Sequence, residues 1–208
     1  DYLARRGFAV LRTDDRGIAK STGDFTAATD ADFANDAEAG LEYLKTRPEI
    51  NRRKIGLVGH STGGIVAPMV AARNRDVRFV VLLAAPAING ERILAEQPRL
   101  MMEAFGAPQE RIDAEVRRMR DLNTALLSSK DPVTQKARAL VALKGMPPDQ
   151  VEQRIAGAMT PWYHAFLTHD PAVVLERVKV PVLSLNGSKD LQVSPAANQA
   201  AMRAALAK

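Results

Sequence analysis

The sequence predicts an α/β fold, with a mostly parallel sheet and helices on both of its faces. Apolar runs of strand length alternate with segments of helical periodicity along the 208 residues, and strands separated by helices pair in parallel through right-handed crossovers. One of these strands leads through a Gly-x-Ser-x-Gly turn into an apolar helix. A chain of this length with 46% hydrophobic residues can bury the core of one domain.

The first part of the chain alternates strand, helix and strand. Residues 8–12 form an apolar run that predicts a strand, followed by a polar loop. Apolar residues at three- and four-residue steps predict a helix over 30–46, and Pro48 lies just past its end. The run at 54–58 predicts a short buried strand.

The second part contains a long interval that is helical only. Residues 79–84 and 180–185 are continuous apolar runs, as expected for strands covered on both faces. Between them, helical patterns occupy 92–105, 109–127, 133–143 and 148–158. A simple crossover needs one helix, so this surplus predicts an inserted helical cap at about 87–168. In the second of these helices, an apolar stripe is interpreted as packing rather than a cofactor site, and it consists of Ile112, Val116, Met119, Leu122 and Leu126.

The turn after the strand at 54–58 carries the strongest chemical signal. It reads Gly59-His60-Ser61-Thr62-Gly63-Gly64, and such a turn between strand and helix predicts a nucleophile elbow, which lifts a serine hydroxyl above the sheet edge. We expect this tight turn to leave no room for side chains at Gly59 and Gly63. Free N–H groups at the helix start can stabilise an oxyanion beside the hydroxyl. Ser61 is therefore the candidate nucleophile, and a glycine-rich turn without catalytic function is the alternative.

A serine nucleophile needs a base, and the base needs a carboxylate to orient it. Asp190 is the best candidate, because it follows the strand at 182–185 at the carboxyl edge of the sheet, where ligands bind in open parallel sheets. A simple turn aspartate is the alternative. The aspartates at 14–15 also follow a strand, but Arg16 offers them a structural partner. Asp170 precedes a proline and is interpreted as a turn or helix-capping residue.

Composition excludes several classes of function. The formal charge is +5, but 29 basic residues are dispersed among 24 acidic ones and aromatic residues make up only 5%, so we expect no nucleic-acid partner. No stretch approaches the ~20 apolar residues of a membrane span. Cysteine is absent, and no pattern predicts a metal or other cofactor. We expect a soluble protein; a cytoplasmic or an exported location and the oligomeric state stay open.

These motifs together resemble serine esterases of the α/β-hydrolase superfamily, close to bacterial carboxylesterases and serine aminopeptidase-like hydrolases. The resemblance covers nearly the whole chain, and it is carried by Asp15-Arg16-Gly17, Lys20-Ser21-Thr22-Gly23, the elbow, Pro161-Trp162-Tyr163 and residues 184–193. It implies Ser61 as nucleophile, Asp190 as the triad acid and the Thr62 backbone N–H as an oxyanion donor. It also implies that Trp162 and Tyr163 bind substrate, with packing at the base of the cap as the alternative.

The histidines depart from the family pattern. In this family the triad runs serine, aspartate, histidine along the chain. His60, His164 and His169 all precede Asp190, and His60 is expected to point away from the Ser61 hydroxyl and to pack beside the turn. The resemblance therefore implies that residues 1–208 are one incomplete α/β-hydrolase domain.

Two pieces of the family pattern, each belonging to a strand, are expected to lie outside the sequence. The catalytic histidine would follow Lys208, after one more strand. The second oxyanion donor would precede Asp1, at the end of a strand that pairs between those at 8–12 and 54–58. We expect these 208 residues alone to show that vacancy in the sheet and little hydrolysis.

Two classes of function remain. The first is hydrolysis of a small-molecule acyl ester through an acyl-serine intermediate, and peptidase, thioesterase or acyltransferase chemistry would use the same triad. Esters are favoured over amides because an alcohol leaves more easily and the cap suggests a small to medium apolar acyl pocket. The second is a non-catalytic binding protein of the same fold. A strand followed by a histidine, encoded beyond Lys208, would distinguish the first from the second.

Overall fold

The computed structural model describes residues 2–208, which form three strands and nine α-helices. The strands are β1 (Leu57–His60), β2 (Val80–Leu83) and β3 (Val182–Leu185). The helices are α1 (Asp30–Thr46), α2 (Gly63–Ala71), α3 (Gly90–Ala104), α4 (Gln109–Leu127), α5 (Pro132–Ala142), α6 (Pro148–Ala158), α7 (Pro161–Thr168), α8 (Pro171–Leu175) and α9 (Pro195–Leu206). Two short 3₁₀ helices cover Ala4–Arg6 and Arg52–Lys54.

The strands form one parallel sheet in the order β1-β2-β3. Leu57 lies beside Val80, which lies beside Val182, and the register continues without a bulge to the last residue of each strand. Their carboxyl ends therefore meet at one edge of the sheet. The crossover from β1 to β2 contains one helix, whereas the crossover from β2 to β3 contains α3 to α8.

One face of this sheet supports the main core. Val80 and Leu82 are 1% and 0% exposed, because α1, α2, α8 and α9 pack in the same apolar cluster. Helix α2 is the central element of this layer: its apolar residues follow directly from the elbow and are almost all buried. The position of the elbow is therefore fixed from below by the most tightly packed part of the molecule.

The other face of the sheet is open in residues 2–208. The in-register set Val58, Val81 and Leu183 points to this face, and Val58 is 57% and Leu183 53% exposed. His60, two residues after Val58, lies on the same side and is also exposed. This differs from the expectation of helices on both faces, since the helices that the structure describes gather on the face of Val80 and Leu82.

The strand predicted at 8–12 does not form in the part of the chain that the structure describes. These residues are all exposed, and no ladder joins them to β1, which pairs with β2 only. A strand is stabilised by its partner's hydrogen bonds, so an apolar run alone does not create one. Leu11 approaches Gly40 of α1, so the segment runs beside that helix.

The structure also corrects the predicted partner of Arg16. Its guanidinium contacts Asp36 at 2.8 Å and Asp32 at 3.4 Å, both on α1, rather than the aspartates at 14–15. This bidentate contact ties the loop after residue 12 to the helix. The prediction failed because acidic residues one helical turn apart present a better match to the guanidinium fork than its sequence neighbours do.

Helices α4 to α7 form a second apolar cluster, against which Leu94 of α3 packs. It is built from α4, α5, α6 and α7 around Leu122, Leu126, Leu143 and Leu167, each 1% exposed or less. The predicted packing role of the α4 stripe is confirmed, because Ile112, Met119, Leu122 and Leu126 are buried. The predicted bounds of α4 and α6 are confirmed to the residue. None of the helices in residues 2–208 combines the length and hydropathy needed to cross a lipid bilayer.

Candidate active site

Ser61 occupies a strained turn at the carboxyl end of β1. Its φ is 52°, in the left-handed region that non-glycine residues rarely adopt. The turn is held by two backbone hydrogen bonds: the Ser61 N–H donates to the Leu83 carbonyl at 3.0 Å, and the Gly64 N–H donates to the Ser61 carbonyl at 2.8 Å. The serine is thus locked between the end of β2 and the first turn of α2, in the geometry of a nucleophile elbow.

Space around the turn explains two of its glycines. A Cβ on Gly59 would lie 2.0 Å from the Gly63 carbonyl oxygen, and a Cβ on Gly64 would lie 2.4 Å from the Ala85 Cβ. No atom lies within 4 Å of a Cβ built on Gly63. The prediction that the turn leaves no room is therefore right for Gly59 and wrong for Gly63. Instead, the second glycine required by space is Gly64, where α2 packs against Ala85 just after β2.

The Thr62 N–H lies at the N-cap of α2. No carbonyl accepts this group among residues 2–208, whereas the N–H groups of Gly64, Ile65 and Val66 all donate to carbonyls of the turn. An unpaired donor at a helix N-terminus, next to a serine hydroxyl, is the kind of group that stabilises an oxyanion. Thr62 as an oxyanion donor stays a prediction.

Asp190 lies in the loop after β3, the strand on the other side of β2 from β1. Its Oδ1 accepts the N–H groups of Gln192 and Val193, both at 2.9 Å. Its Oδ2 has one long contact, 3.4 Å to the Asn186 amide. The carboxylate is therefore fixed by its own loop through one oxygen, and the other oxygen has capacity to accept a further, stronger hydrogen bond.

Ser61 and Asp190 thus follow strands that flank β2, and their loops open at the same edge of the sheet. The axes of β1 and β3 lie roughly 10 Å apart, given two interstrand spacings. An imidazole would fit between side chains at that separation. Among residues 2–208, no hydrogen bond joins the Ser61 and Asp190 side chains.

None of the three histidines supplies that third group in residues 2–208. His60 is exposed on the open face of the sheet, so the expectation that it packs beside the turn is wrong. His164 lies on α7 and His169 ends that helix. Burial lowers the pKa of His169, and the negative charge of the neighbouring Asp170 partly offsets this decrease. No hydrogen bond joins any of them to Ser61 or Asp190 in this part of the chain.

Trp162 and Tyr163 use their polar atoms in contacts of their own. The Trp162 indole N–H donates to Asp30 Oδ1 at 3.0 Å, and the Tyr163 hydroxyl contacts Asn123 Oδ1 at 2.8 Å. Burial raises the pKa of Tyr163 to about 12, which a nearby Arg154 partly opposes. The Trp162 ring packs in a cluster that contains Ile65, one helical turn after Ser61. Trp162 thus belongs to a cluster that includes a residue of α2, whereas Tyr163 belongs to the cluster of α4 to α7.

Two buried polar residues near the site were not found from the sequence. Asp30 is 4% exposed at the start of α1, and Asn198 of α9 is 1% exposed. The Asn198 Oδ1 accepts the N–H groups of Ala87 and Ile88, which fixes the loop after β2. The capping box formed by Thr29 and Asp32 places Asp30 at the first helical position, where an acid is common, so its burial had no local signal. Asp170 is confirmed as the N-cap of α8.

The described residues contain no group of three or more His, Cys, Asp or Glu side chains that could hold a metal ion. The polar groups at the strand ends are a hydroxyl, a carboxylate and backbone N–H groups. Such a set supports nucleophilic chemistry at a carbonyl or a related centre.

The arrangement is that of the α/β-hydrolase fold. In this fold one strand of a parallel sheet ends at a nucleophile elbow, and a later strand is followed by a loop that carries an acidic residue. Two solved structures agree: DcsB in complex with its substrate analogue (TM-score 0.52, 22% identity, 91% of this chain and 65% of that one) and VinJ (TM-score 0.50, 18% identity, 88% and 62%). The chain belongs to the family described as serine aminopeptidase, S33 (Hydrolase_4), whose model matches residues 1–208.

Among curated proteins, the chain is similar to esterase EstD of Thermotoga maritima, with 24% identity over 192 residues. It is also similar to protein bem46 of Schizosaccharomyces pombe, with 39% identity over 61 residues, or 29% of this chain and 19% of that protein. The match to EstD covers 92% of this chain but 40% of EstD, so the chain spans less than half of that relative's length.

Proposed function

We propose that the protein carrying this chain is a hydrolase that cleaves carboxylic esters through an acyl-serine intermediate, with Ser61 as nucleophile. The observation that carries the proposal is the left-handed backbone of Ser61, at φ 52°, between β1 and α2. A non-glycine residue is strained there, and such strain is kept where a side chain must be presented. Membership of a hydrolase family and similarity to an esterase support the same chemistry.

The reaction follows the acyl-transfer scheme. Ser61 Oγ attacks the ester carbonyl carbon while a histidine base accepts the hydroxyl proton, and the carbonyl oxygen becomes an oxyanion that the Thr62 N–H stabilises. Collapse breaks the bond to the alcohol, which leaves with that proton. Water then attacks the acyl-serine, returns the proton to Ser61 and releases the acid. Asp190 orients the base through Oδ2, so this histidine must reach both side chains.

The acyl group would be bound beneath the helices at 87–168, which we propose form a cap over the carboxyl edge of the sheet. Trp162 and Tyr163 would contribute their ring faces to the pocket, because the indole N–H and the phenol hydroxyl are already bound to Asp30 and Asn123. Ring faces favour an apolar acyl group of small to medium size.

Peptidase activity is the second candidate, and the family description favours it. The same nucleophile and acid would cleave an amide, provided that the leaving amine receives a proton from the base. Thioester cleavage and acyl transfer would also use these residues. A binding protein of this fold without catalysis is the remaining alternative, since no histidine of residues 2–208 is bound to Ser61 or Asp190.

A fluorophosphonate probe on the intact protein tests the proposal. We expect labelling at Ser61 and turnover of p-nitrophenyl esters, both abolished by Ser61→Ala. Ser129→Ala, which removes a hydroxyl in the loop between α4 and α5, is the matched control and should retain both. Faster turnover of an aminoacyl p-nitroanilide than of the ester would favour the peptidase. Ester turnover that persists in Ser61→Ala would contradict the assignment, and absence of labelling in the wild type would favour the binding protein.

A further inference from the structure

One side-chain hydrogen bond connects the helical segment, α3 to α7, to the sheet domain, by which we mean the strands with α1, α2, α8 and α9. The Trp162 indole N–H of α7 donates to Asp30 Oδ1 of α1 at 3.0 Å, across 132 positions of sequence. Among residues 2–208, no other side-chain to side-chain hydrogen bond or ion pair joins α3 to α7 with the rest of the chain. The other side-chain hydrogen bonds and ion pairs of these five helices join residues within the segment. The contact between Trp162 and Asp30 is therefore the one that links the segment to α1 through side chains.

The environment of Asp30 makes this contact costly to keep. Asp30 is 4% exposed and has no cationic partner in the described chain. Burial raises its pKa to about 6, and the hydrogen bond from Trp162 partly opposes that shift. A buried carboxylate without a cation destabilises a fold, and an apolar residue of similar size would fill the same space without that cost. What Asp30 provides, and an apolar residue of similar size would not, is an oxygen that accepts the hydrogen bond from the Trp162 indole.

Trp162 sits where several elements that surround the elbow meet. Its ring stacks on Phe166 of the same helix, with centroids 5.1 Å apart and planes inclined by 13°. It packs against the cluster of Ile65 from α2, Ile88 from the loop after β2, and Ile93 from α3. Ile65 is 2% exposed and lies four residues after Ser61. The indole therefore belongs to the apolar cluster that joins α7 to α3 and to the start of α2, the helix that follows Ser61.

Among residues 2–208, no other hydrogen bond joins the N-terminal turn of α7 to α1, α2 or the sheet. The backbone at the other end of this helix is held by the Gly90 N–H, which donates to the His169 carbonyl at 3.3 Å, and a Cβ on Gly90 would lie 1.9 Å from the Phe166 carbonyl oxygen. The C-terminal end of α7 is thus fixed against α3 by close backbone contact. The N-terminal turn depends on the side chain of Trp162.

We propose that Asp30 is a positioning residue, which ties the Trp162 indole to α1 within the apolar cluster that α7 shares with α2 and α3, and so sets how the helices above the elbow bind the acyl group. This inference rests on the proposed ester-cleaving function for its kinetic consequence, but the contact itself can be tested without catalysis. Asp30 contacts neither Ser61 nor the reacting atoms in this scheme. Its loss is therefore expected to change substrate binding more than the chemical step.

Three substitutions separate the hydrogen bond from the charge and from the ring. Asp30→Ala leaves the indole N–H unpaired, and Trp162→Phe keeps an aromatic ring but removes the donor. In the intact protein, each should raise KM for a p-nitrophenyl ester by about tenfold, as expected for an unmatched buried polar group, with kcat changed less than about threefold. Asp30→Asn retains an acceptor oxygen and should stay within about twofold of the wild-type KM. Asp36→Ala, which removes an exposed acid from the same helix, is the matched control.

Trp162 is the single tryptophan of this sequence, so its fluorescence gives a readout that needs no turnover. The difference spectrum between the wild type and Trp162→Phe isolates its emission. We expect Asp30→Ala to shift that emission to longer wavelength as the indole gains contact with water, whereas Asp30→Asn and Asp36→Ala should leave it unchanged.

The two readouts separate the inference from the function on which it rests. An unchanged KM and an unchanged emission in Asp30→Ala would overturn the positioning role. A changed emission in a protein that hydrolyses no ester would support the contact and reject the proposed function. If Asp30→Asn raised KM and shifted the emission as much as Asp30→Ala does, the charge and not the acceptor oxygen would matter, and the inference as stated would also be overturned.

Discussion

The carbonyl oxygen of Gly63 stands 2.0 Å from the position that a side-chain Cβ on Gly59 would occupy. These two glycines flank Ser61 symmetrically in sequence, but only the first is required by space. We expect Gly59→Ala to reduce the free energy of unfolding by about 3 kcal/mol or more, because backbone must move to admit the methyl group. Gly63→Ala should change it by less than about 1 kcal/mol. Urea unfolding of the two variants checks this, and equal losses would contradict the close approach.

Asp190 is expected to act on the rate of the chemical step. Asp190→Asn keeps the shape of the side chain but favours the wrong tautomer of the base, so kcat for an ester should fall by about three to four orders of magnitude. Asp170→Asn is the control, because Asp170 likewise accepts a backbone N–H two residues on, from Ala172, but belongs to a helix cap. Steady-state kinetics on the intact protein measures both. A kcat that is unchanged in Asp190→Asn would place the acid elsewhere.

The hydroxyl of Tyr163 is expected to contribute to stability and its ring to substrate binding, and two substitutions separate these contributions. Tyr163→Phe removes the hydroxyl that contacts Asn123, a residue with 0% exposure, and should cost about 1–2 kcal/mol of stability while KM stays within about twofold. Tyr163→Ala also removes the ring face and should raise KM several-fold. Denaturant titration and ester kinetics on both variants test this. An unchanged KM in Tyr163→Ala would assign Tyr163 to packing alone.

The raised pKa of Asp30 predicts a dependence of stability on pH. Because the folded pKa of about 6 exceeds the ordinary value of 3.8, the folded state binds the proton more tightly, and the group destabilises the fold as pH rises from about 4 through 6. The difference amounts to roughly 3 kcal/mol at most by pH 7.5. Asp30→Asn should therefore be more stable than the wild type at pH 7.5 and about equal at pH 4. The free energies of unfolding of the two proteins, measured at pH 7.5 and at pH 4, test this. If the wild type and Asp30→Asn differed by the same amount at both pH values, the raised pKa of Asp30 would be rejected.

Acid should act in the opposite direction through Glu115. Burial is the largest influence and opposes ionisation, but the hydrogen bonds and charges of Arg154 and Arg118 together lower the pKa of this carboxyl below its ordinary value. A lowered folded pKa contributes stability above the ordinary value that is lost as pH falls through the folded one. The wild type should thus lose more stability than Glu115→Gln between pH 5 and about 3. Parallel unfolding curves for the two proteins would contradict this.

Local signals explain which parts of the fold could be predicted. The bounds of α6 follow from a proline at its first position and from apolar spacing, both of which are local. The strand at 8–12 was predicted wrongly, since a strand needs a partner that the sequence of the run does not specify. The elbow was found because its glycines, serine and flanking strand are contiguous.

Contacts between distant residues had no such signal. Asp30 and Trp162 are 132 positions apart, and neither has a pattern around it that indicates a buried pair. The same holds for Asn198, whose amide joins α9 to the loop after β2. Burial of a polar side chain depends on which elements pack together, so it becomes visible only once the layers are assembled.

The left-handed backbone at position 61 has a consequence for engineering. A procedure that optimises stability alone would place glycine there, because glycine adopts φ 52° without steric cost. The same procedure would relax the turn by about 1 kcal/mol and delete the hydroxyl. Consensus or stability-guided libraries built on this chain should therefore hold residue 61 fixed, because the substitution that most relaxes the turn is also the one that removes the Ser61 hydroxyl.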